Sequence, residues 1–173
     1  MWNILLFALL LACDLAVKHW AVSVLAEVGT IPIINGIFAL TYAENKGAAF
    51  SMLWGARWFF VAVAVVFSVV IVVYIKKGFF TKWWSRVGMI FLLAGTVGNA
   101  IDRVRYGYVV DMFELKFINF AIFNVADLFI TVGAIVFAVY LLFFEGREKL
   151  KEAQTEETEN TEETVSVGES DDI

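Results

Sequence analysis

The chain has one cysteine, Cys13, and one histidine, His19. A single thiol excludes an internal disulfide, and without a Cys/His cluster there is no structural zinc site to expect. No serine or histidine accompanies the aspartates described below, which argues against a Ser-His-Asp triad. Residues 58–75 (WFFVAVAVVFSVVIVVYI) carry no charge at all, and no internal repeat is visible. The start, MWN, lacks the positive region that a cleavable signal peptide carries, although Leu10-Leu11-Ala12-Cys13 ends a short apolar stretch. A retained first span is the expectation.

What is abundant is hydrocarbon. Of 173 residues 61% are hydrophobic and mean hydropathy is +0.78, against about 45–50% apolar content in soluble domains. The length fits one compact domain. Net charge is −5, but it is segregated. Residues 148–173 hold ten acids and two bases, which leaves eight acids and eleven bases before them, a balance of +3. The acidic end has almost no large apolar side chains and reads as a disordered, solvated tail.

Four runs reach membrane length, at about Met1–Leu25, Trp58–Ile75, Trp84–Arg103 and Phe123–Phe144. Backbone groups in lipid must be satisfied internally, so these runs are helices. Lys76, Lys77, Lys82 and Arg86 sit in the link between runs two and three, and Arg147, Lys149 and Lys151 follow run four. The excess of positive charge places both regions, and both termini, in the cytoplasm. Trp83 and Trp84 fit an interfacial anchor beside the first of them. The connections at about 26–57 and 104–122 then lie outside. In the former, alternating and β-branched stretches with turn signals at Asn35-Gly36 and Lys46-Gly47 predict a small β element, with a short interfacial helix, on the outer membrane surface.

Charges interrupt this hydrocarbon at particular places. A carboxylate at bilayer depth costs at least about 2.5–3.5 kcal/mol, so it needs a structural or functional reason to be there. At 1.5 Å per residue, Asp14 lies about 20 Å along the first span, in its outer half. Lys18 follows on the same helical face, where the two can pair; Cys13 lies on another face. Gly95, Gly98, Asn99, Asp102 and Arg103 share one face of the third span, small residues beside polar ones. Asp127 opens the fourth span and Asp111 stands in the connection before it. All these groups fall at one depth, the outer edge. Separate ion pairs would not need to agree in depth, and the agreement favours a single site. Two adjacent carboxylates do not both ionise cheaply, so one keeps a proton, an arrangement suited to activating water and protonating a leaving amine.

At these residues the chain resembles the bacterial lipoprotein signal peptidase (signal peptidase II) family. The resemblance rests on Asp14-Leu-Ala-Val-Lys18, Asn45-Lys-Gly47-Ala-Ala-Phe50, Gly95-Thr-Val-Gly98-Asn99-Ala-Ile-Asp102-Arg103, Val109-Val-Asp111-Met-Phe113 and Phe123-Asn124-Val-Ala126-Asp127, in that order through nearly the whole membrane body. Met112 replaces a more common hydrophobic residue. The resemblance implies an all-α membrane protein of four spans with the outer β element, acting as an intramembrane aspartic peptidase. Its substrate would be a prolipoprotein whose cysteine already carries a diacylglyceryl group, cut just before that cysteine. By motif position Asp111 and Asp127 are the catalytic pair. Asp14, Lys18, Asn45, Asn99, Arg103, Asn124 and Ala126 line or support the site, Asp102 pairs near Arg103, and Gly47 serves a turn or the substrate. Asn45 would contact substrate backbone from above, and Phe50 is a packing residue. No metal, cofactor or nucleic acid is implied; lipidated substrate and membrane lipid are the partners of a monomer.

Two other readings use the same residues. A structural membrane protein would employ Asp14/Lys18 and Asp102/Arg103 as helix glue, but it leaves Asp111 and Asp127 without obvious partners. An ion-coupled carrier should place acids near the midplane within inverted repeats, and neither feature is present. The expected organisation is a catalytic membrane domain over residues 1–147 and a cytoplasmic tail over 148–173.

Overall fold

A computed structural model describes residues 2–47 and 55–145. Phe50 and the 148–173 tail lie outside the described residues. The chain divides into two compact units, Met1–Val136 and one beginning at Phe137. The first holds the sheet, three whole spans and the start of the fourth. The described part of the second is the end of that helix.

Four helices are long and apolar enough to cross a membrane: Trp2–Val28, Arg57–Lys76, Trp83–Tyr106 and Val125–Phe144. They match the four runs read from sequence, with the first and third each three residues longer at the C-terminal end. The third span is central and packs against the first and second. The buried residues of the first span, Asp14, Lys18, Ala21 and Leu25, recur every third or fourth position, which is one stripe of a helix turned inward. The second span buries only Ile71 and turns most of its apolar surface outward, as a lipid-facing helix does.

Glycines set how closely the spans approach. An added Cβ at Gly133 would meet the Gly88 carbonyl oxygen at 2.6 Å and the Leu92 nitrogen at 2.7 Å. One at Gly95 would collide with the Ala126 carbonyl, and one at Gly98 with the Asp14 carboxylate. Close contact of third and fourth spans thus depends on small residues from both, the usual solution where lipid removes the hydrophobic drive between helices.

Three antiparallel strands, β1 (Thr30–Ile34), β2 (Phe38–Asn45) and β3 (Val109–Leu115), form a sheet in that order. The sequence reading placed β structure in the first outer connection but not in the second. There β3 completes the sheet, its pattern disguised by Asp111 and Glu114 within an apolar run. β3 is buried at Val109, Val110, Asp111 and Met112. Met112 joins Ala21, Leu25 and Val110 in the apolar cluster beneath the sheet, so the departure noted at this position is a packing residue. Beyond β3 the chain folds back, and Phe113 pairs with Phe123 through N–H···O bonds of 2.8 and 3.1 Å. That single bridge brings Asn124, at the head of the fourth span, alongside Asp111.

Candidate active site

Three elements deliver the polar groups to one place, and each does so for a local reason. In the sheet, Asp111 stands opposite Ala43, and Asn45 is diagonal to it on the same face. Asn45 Nδ2 donates to Asp111 Oδ2 at 3.0 Å, while Asn45 Oδ1 accepts the Gly47 N–H at 3.1 Å. At the head of the fourth span, Asn124 and Asp127 form a reciprocal cap. The Asp127 N–H donates to Asn124 Oδ1 at 3.0 Å, and the Asn124 N–H donates to Asp127 Oδ2 at 3.1 Å. This is a capping box built from Asn and Asp instead of Ser and Glu. In the third span, Asn99, Asp102 and Arg103 face inward from its last turns.

Asn124 is fully buried, and it bonds both Asp111 and Asp127. Nδ2 donates to Asp111 Oδ1 at 2.6 Å and to Asn99 Oδ1 at 3.2 Å. Asn99 Nδ2 in turn donates to Asp127 Oδ1 at 2.8 Å. Every oxygen of Asp111 and Asp127 therefore accepts one N–H from an amide. Sequence reading left the two aspartates with no partner but each other; the structure corrects this, because asparagines, which carry no charge to advertise themselves, hold both. Burial first, and then the nearby Asp127 carboxylate, push the Asp111 carboxyl up to about 7, against the opposing pull of the Asn124 and Asn45 amides. The site is thus built to keep a carboxyl protonated near neutrality.

Beneath this pair lies a buried cation. Lys18 is 2% exposed, and its ammonium reaches Asn99 Oδ1 at 2.8 Å, Asp102 Oδ2 at 3.0 Å and Asp14 Oδ2 at 3.1 Å. Its three donors each have an acceptor. Asp14 Oδ1 also receives the Ala126 N–H at 2.9 Å, placing an anion where the fourth helix begins. The expected Asp14–Lys18 pair is present. The expected pairing of Asp102 near Arg103 is not: Asp102 bonds Lys18 and the Val110 N–H at 3.2 Å. Adjacent helix residues point about 100° apart, so neighbours in sequence do not face one another.

Arg103 turns outward from that cluster. Its Nη2 donates to the Gly47 carbonyl at 3.0 Å, Nη1 to the Asn99 carbonyl at 3.3 Å, and the guanidinium lies 4.8 Å from the Phe60 ring centre. With the Asn45 bond, this fixes Gly47 from both its N–H and its carbonyl. Ala126 is fully buried between Asp14 and the third-span glycines, a packing position that admits only a small side chain. An open cavity of about 320 Å³ starts at Asp127, Asn45, Asn99 and Arg103 and continues between Phe60, Phe67 and Ile130. Phe60, Phe67 and Thr96 were missed from sequence, since nothing in an apolar run distinguishes a cavity wall from a lipid face.

Among the described residues no group of His, Cys, Asp and Glu side chains could hold a metal ion. Four helices able to cross a membrane, with a three-stranded sheet beside them, give the architecture of a membrane protein. Residues 6–143 match the family described as Signal peptidase (SPase) II. The lipoprotein signal peptidase of Clostridioides difficile (strain 630) is 42% identical over 149 residues, 86% of this chain and 100% of that protein. That of Streptococcus thermophilus (strain CNRZ 1066) is 43% identical over 132 residues, covering 76% and 86%. A solved structure described as a bacterial membrane enzyme, 29% identical, superposes with a TM-score of 0.74 over 81% of this chain and 87% of that one. The chain belongs to the signal peptidase II family. It is an aspartic-type signal peptidase of a bacterial membrane, and its activity is the removal of signal peptides from lipoproteins.

Proposed function

We propose that Asp111 and Asp127 are the catalytic dyad of an intramembrane endopeptidase that cuts diacylglyceryl-modified prolipoproteins just before the lipidated cysteine. The observation that carries this reading is the shared Asn124, whose amide and backbone bond both carboxylates at once. Such a grip aligns two groups that otherwise repel. One carboxylate takes a proton from water as it attacks the scissile carbonyl; the other, protonated, supplies the leaving nitrogen.

The Asp14–Lys18–Asp102 cluster and Asn99 support the dyad from below, and Arg103 with Asn45 frames the cavity mouth. Lys76, Lys77, Lys82 and Arg86 support a cytoplasmic link between spans two and three. On that orientation both termini, including the 148–173 tail, are cytoplasmic and the dyad lies near the outer leaflet of the cytoplasmic membrane. A lipid-anchored cysteine presents its peptide bond at that level. The catalytic domain is residues 1–147, acting as a monomer without cofactor.

The test is cleavage of a lipidated prolipoprotein by purified wild type, Asp111→Asn and Asp127→Asn, with substrate binding measured in parallel. Both variants should bind substrate and lose cleavage by a factor of about 10³ or more, in the range seen when an acid–base group is removed. Full activity in either variant sinks the dyad. Asn45→Ala checks the framing role; unchanged rate and affinity would remove it.

A further inference from the structure

A second hollow, of about 380 Å³, lies between the second and third spans, and Ala64 borders both it and the active-site cavity. Apart from Ser68 and Arg105 its walls are hydrocarbon, and Ala64 and Ala100 leave room that a larger side chain would take. From Val61 to Val69 the second span rises about 12 Å, most of the roughly 15 Å that one leaflet contributes to the hydrocarbon core. Two guanidiniums stand at the end nearer the sheet. Arg105 lines the hollow, is exposed, and lies 5.3 Å from the Tyr106 ring centre. Arg57 begins the second span beside it. Its Nη2 donates to the Val104 carbonyl at 2.6 Å, and the guanidinium lies 4.7 Å from the ring centre of exposed Trp58. A bond to a carbonyl in the last turn of the third span explains where Arg57 sits, yet it cancels no charge. Among the described residues neither arginine pairs with a carboxylate.

We propose that this hollow seats an acyl chain of an anionic phospholipid, and that Arg57 and Arg105 hold its headgroup phosphate. Exposed Val65, Val69 and Val104 line the hollow, so in a bilayer its natural occupant is a lipid chain. Charge decides which lipid. Guanidiniums bind phosphate oxygens through charge-assisted hydrogen bonds, and basic pockets between spans collect anionic headgroups. The diacylglyceryl anchor of a substrate is neutral and would leave both cations unmatched. Trp58, beside Arg57, is an aromatic side chain of the kind that sits at headgroup level, above a groove about one leaflet deep. The second span buries only Ile71. A lipid wedged against Ala64 therefore supports a helix that is also a wall of the active-site cavity. The lipid seat is independent of the dyad and needs only residence in a membrane.

Photocrosslinking of the full chain in phosphatidylcholine vesicles tests this, with trace phosphatidylglycerol or phosphatidylcholine carrying a diazirine in one acyl chain. Adducts are mapped by mass spectrometry to Val61, Val65, Val97 and Ile101 in the groove, and to Val66 and Val70, which are exposed on the second span outside it. Groove adducts should favour phosphatidylglycerol by at least about fivefold, the factor worth one basic residue beside an anionic lipid. The ratio at Val66 and Val70 should stay near one. Arg105→Gln, a surface change, should lower the groove preference by about half or more, and adding Arg57→Gln should bring it to about one. Ala100→Phe should remove groove adducts of both lipids and leave those at Val66 and Val70. Groove and reference adducts come from one preparation, so loss of folded protein cancels. Equal yields of the two lipids in the groove, or a preference indifferent to the arginine variants, overturn the proposal. The hollow would then be a crevice for any chain, a substrate's neutral anchor included.

Discussion

Asn124 and Asp127 cap one another: each backbone N–H is bonded by the other's side chain, at 3.0 and 3.1 Å. The bond pair that starts the fourth helix is therefore the one that aims a carboxylate into the cavity, and helix initiation and site geometry are a single arrangement.

Removing that arrangement should be felt twice. Asn124→Ala deletes a cap, worth about 1 kcal/mol, and leaves buried amide partners unmet, at about 1–3 kcal/mol. We expect a loss of 2–4 kcal/mol in total on those two contributions, read from thermal unfolding in detergent. Cleavage should fall further than folding does, by about 10²-fold in kcat, because Asp111 and Asp127 lose their common support. Unchanged kcat in the folded fraction would show that the asparagine only caps.

Lys18 holds two buried carboxylates. Lys18→Met should destabilise by about 3–5 kcal/mol, because Asp14 and Asp102 become uncompensated buried charges. The triple variant Asp14→Asn, Lys18→Met, Asp102→Asn should regain most of that loss, since neutral groups cost less to bury. If the triple variant is no more stable than the single one, the cluster is held by packing and not by charge.

Gly98 has a particular neighbour. An added methyl group collides with the Asp14 carboxylate, so Gly98→Ala should cost about 1–3 kcal/mol and displace Asp14 from Lys18. By contrast Gly36→Ala meets open space and is opposed only by its φ of +71°; its cost should stay near 1 kcal/mol. Comparing the two unfolding midpoints, with cleavage measured alongside, separates crowding from backbone strain: Gly98→Ala should impair cleavage and Gly36→Ala should not.

The raised carboxyl of Asp111 sets a pH dependence. Its folded value, about 7, stands above the unperturbed 3.8, so the folded state binds its proton more tightly than the unfolded state. That contribution to stability is fully present below about pH 4 and is lost as pH rises toward 7, by up to about 1.4 kcal/mol per pH unit. Wild type should lose stability relative to Asp111→Asn across that window. If the proposed dyad works with Asp111 as its protonated member, kcat/KM should also fall above pH 7, tenfold per unit at the limit. A flat difference between the two proteins from pH 4 to 8 would contradict the coupling.

The spans were legible because lipid allows so few solutions: an uncharged run such as 58–75 has to be a helix. Asp14 and Lys18 were legible for a similar reason, since helical spacing alone puts them on one face. What sequence hid is whatever crosses between elements. Asp102 was matched to Arg103 beside it, while its actual partner, Lys18, comes from another span. β3 escaped because its third buried position, Asp111, breaks the apolar pattern that would mark a strand. Asn99 and Asn124 were recognised as site residues, yet their action as donors to both aspartates depends on the Phe113–Phe123 bridge, which local pattern does not reveal. Gly88 and Gly133 carry no polar signal, and their contact appears only when two spans are laid together.

The two dyad candidates live in different parts of the chain's biography. Asp111 belongs to a strand that must find β2, and Asp127 to a span that is made after that strand. Until that span has inserted and its head has met the strand, no stretch of the growing polypeptide holds both carboxylates in register. On the dyad reading, a half-made chain is harmless to the lipoproteins around it, and cutting begins only once assembly is finished.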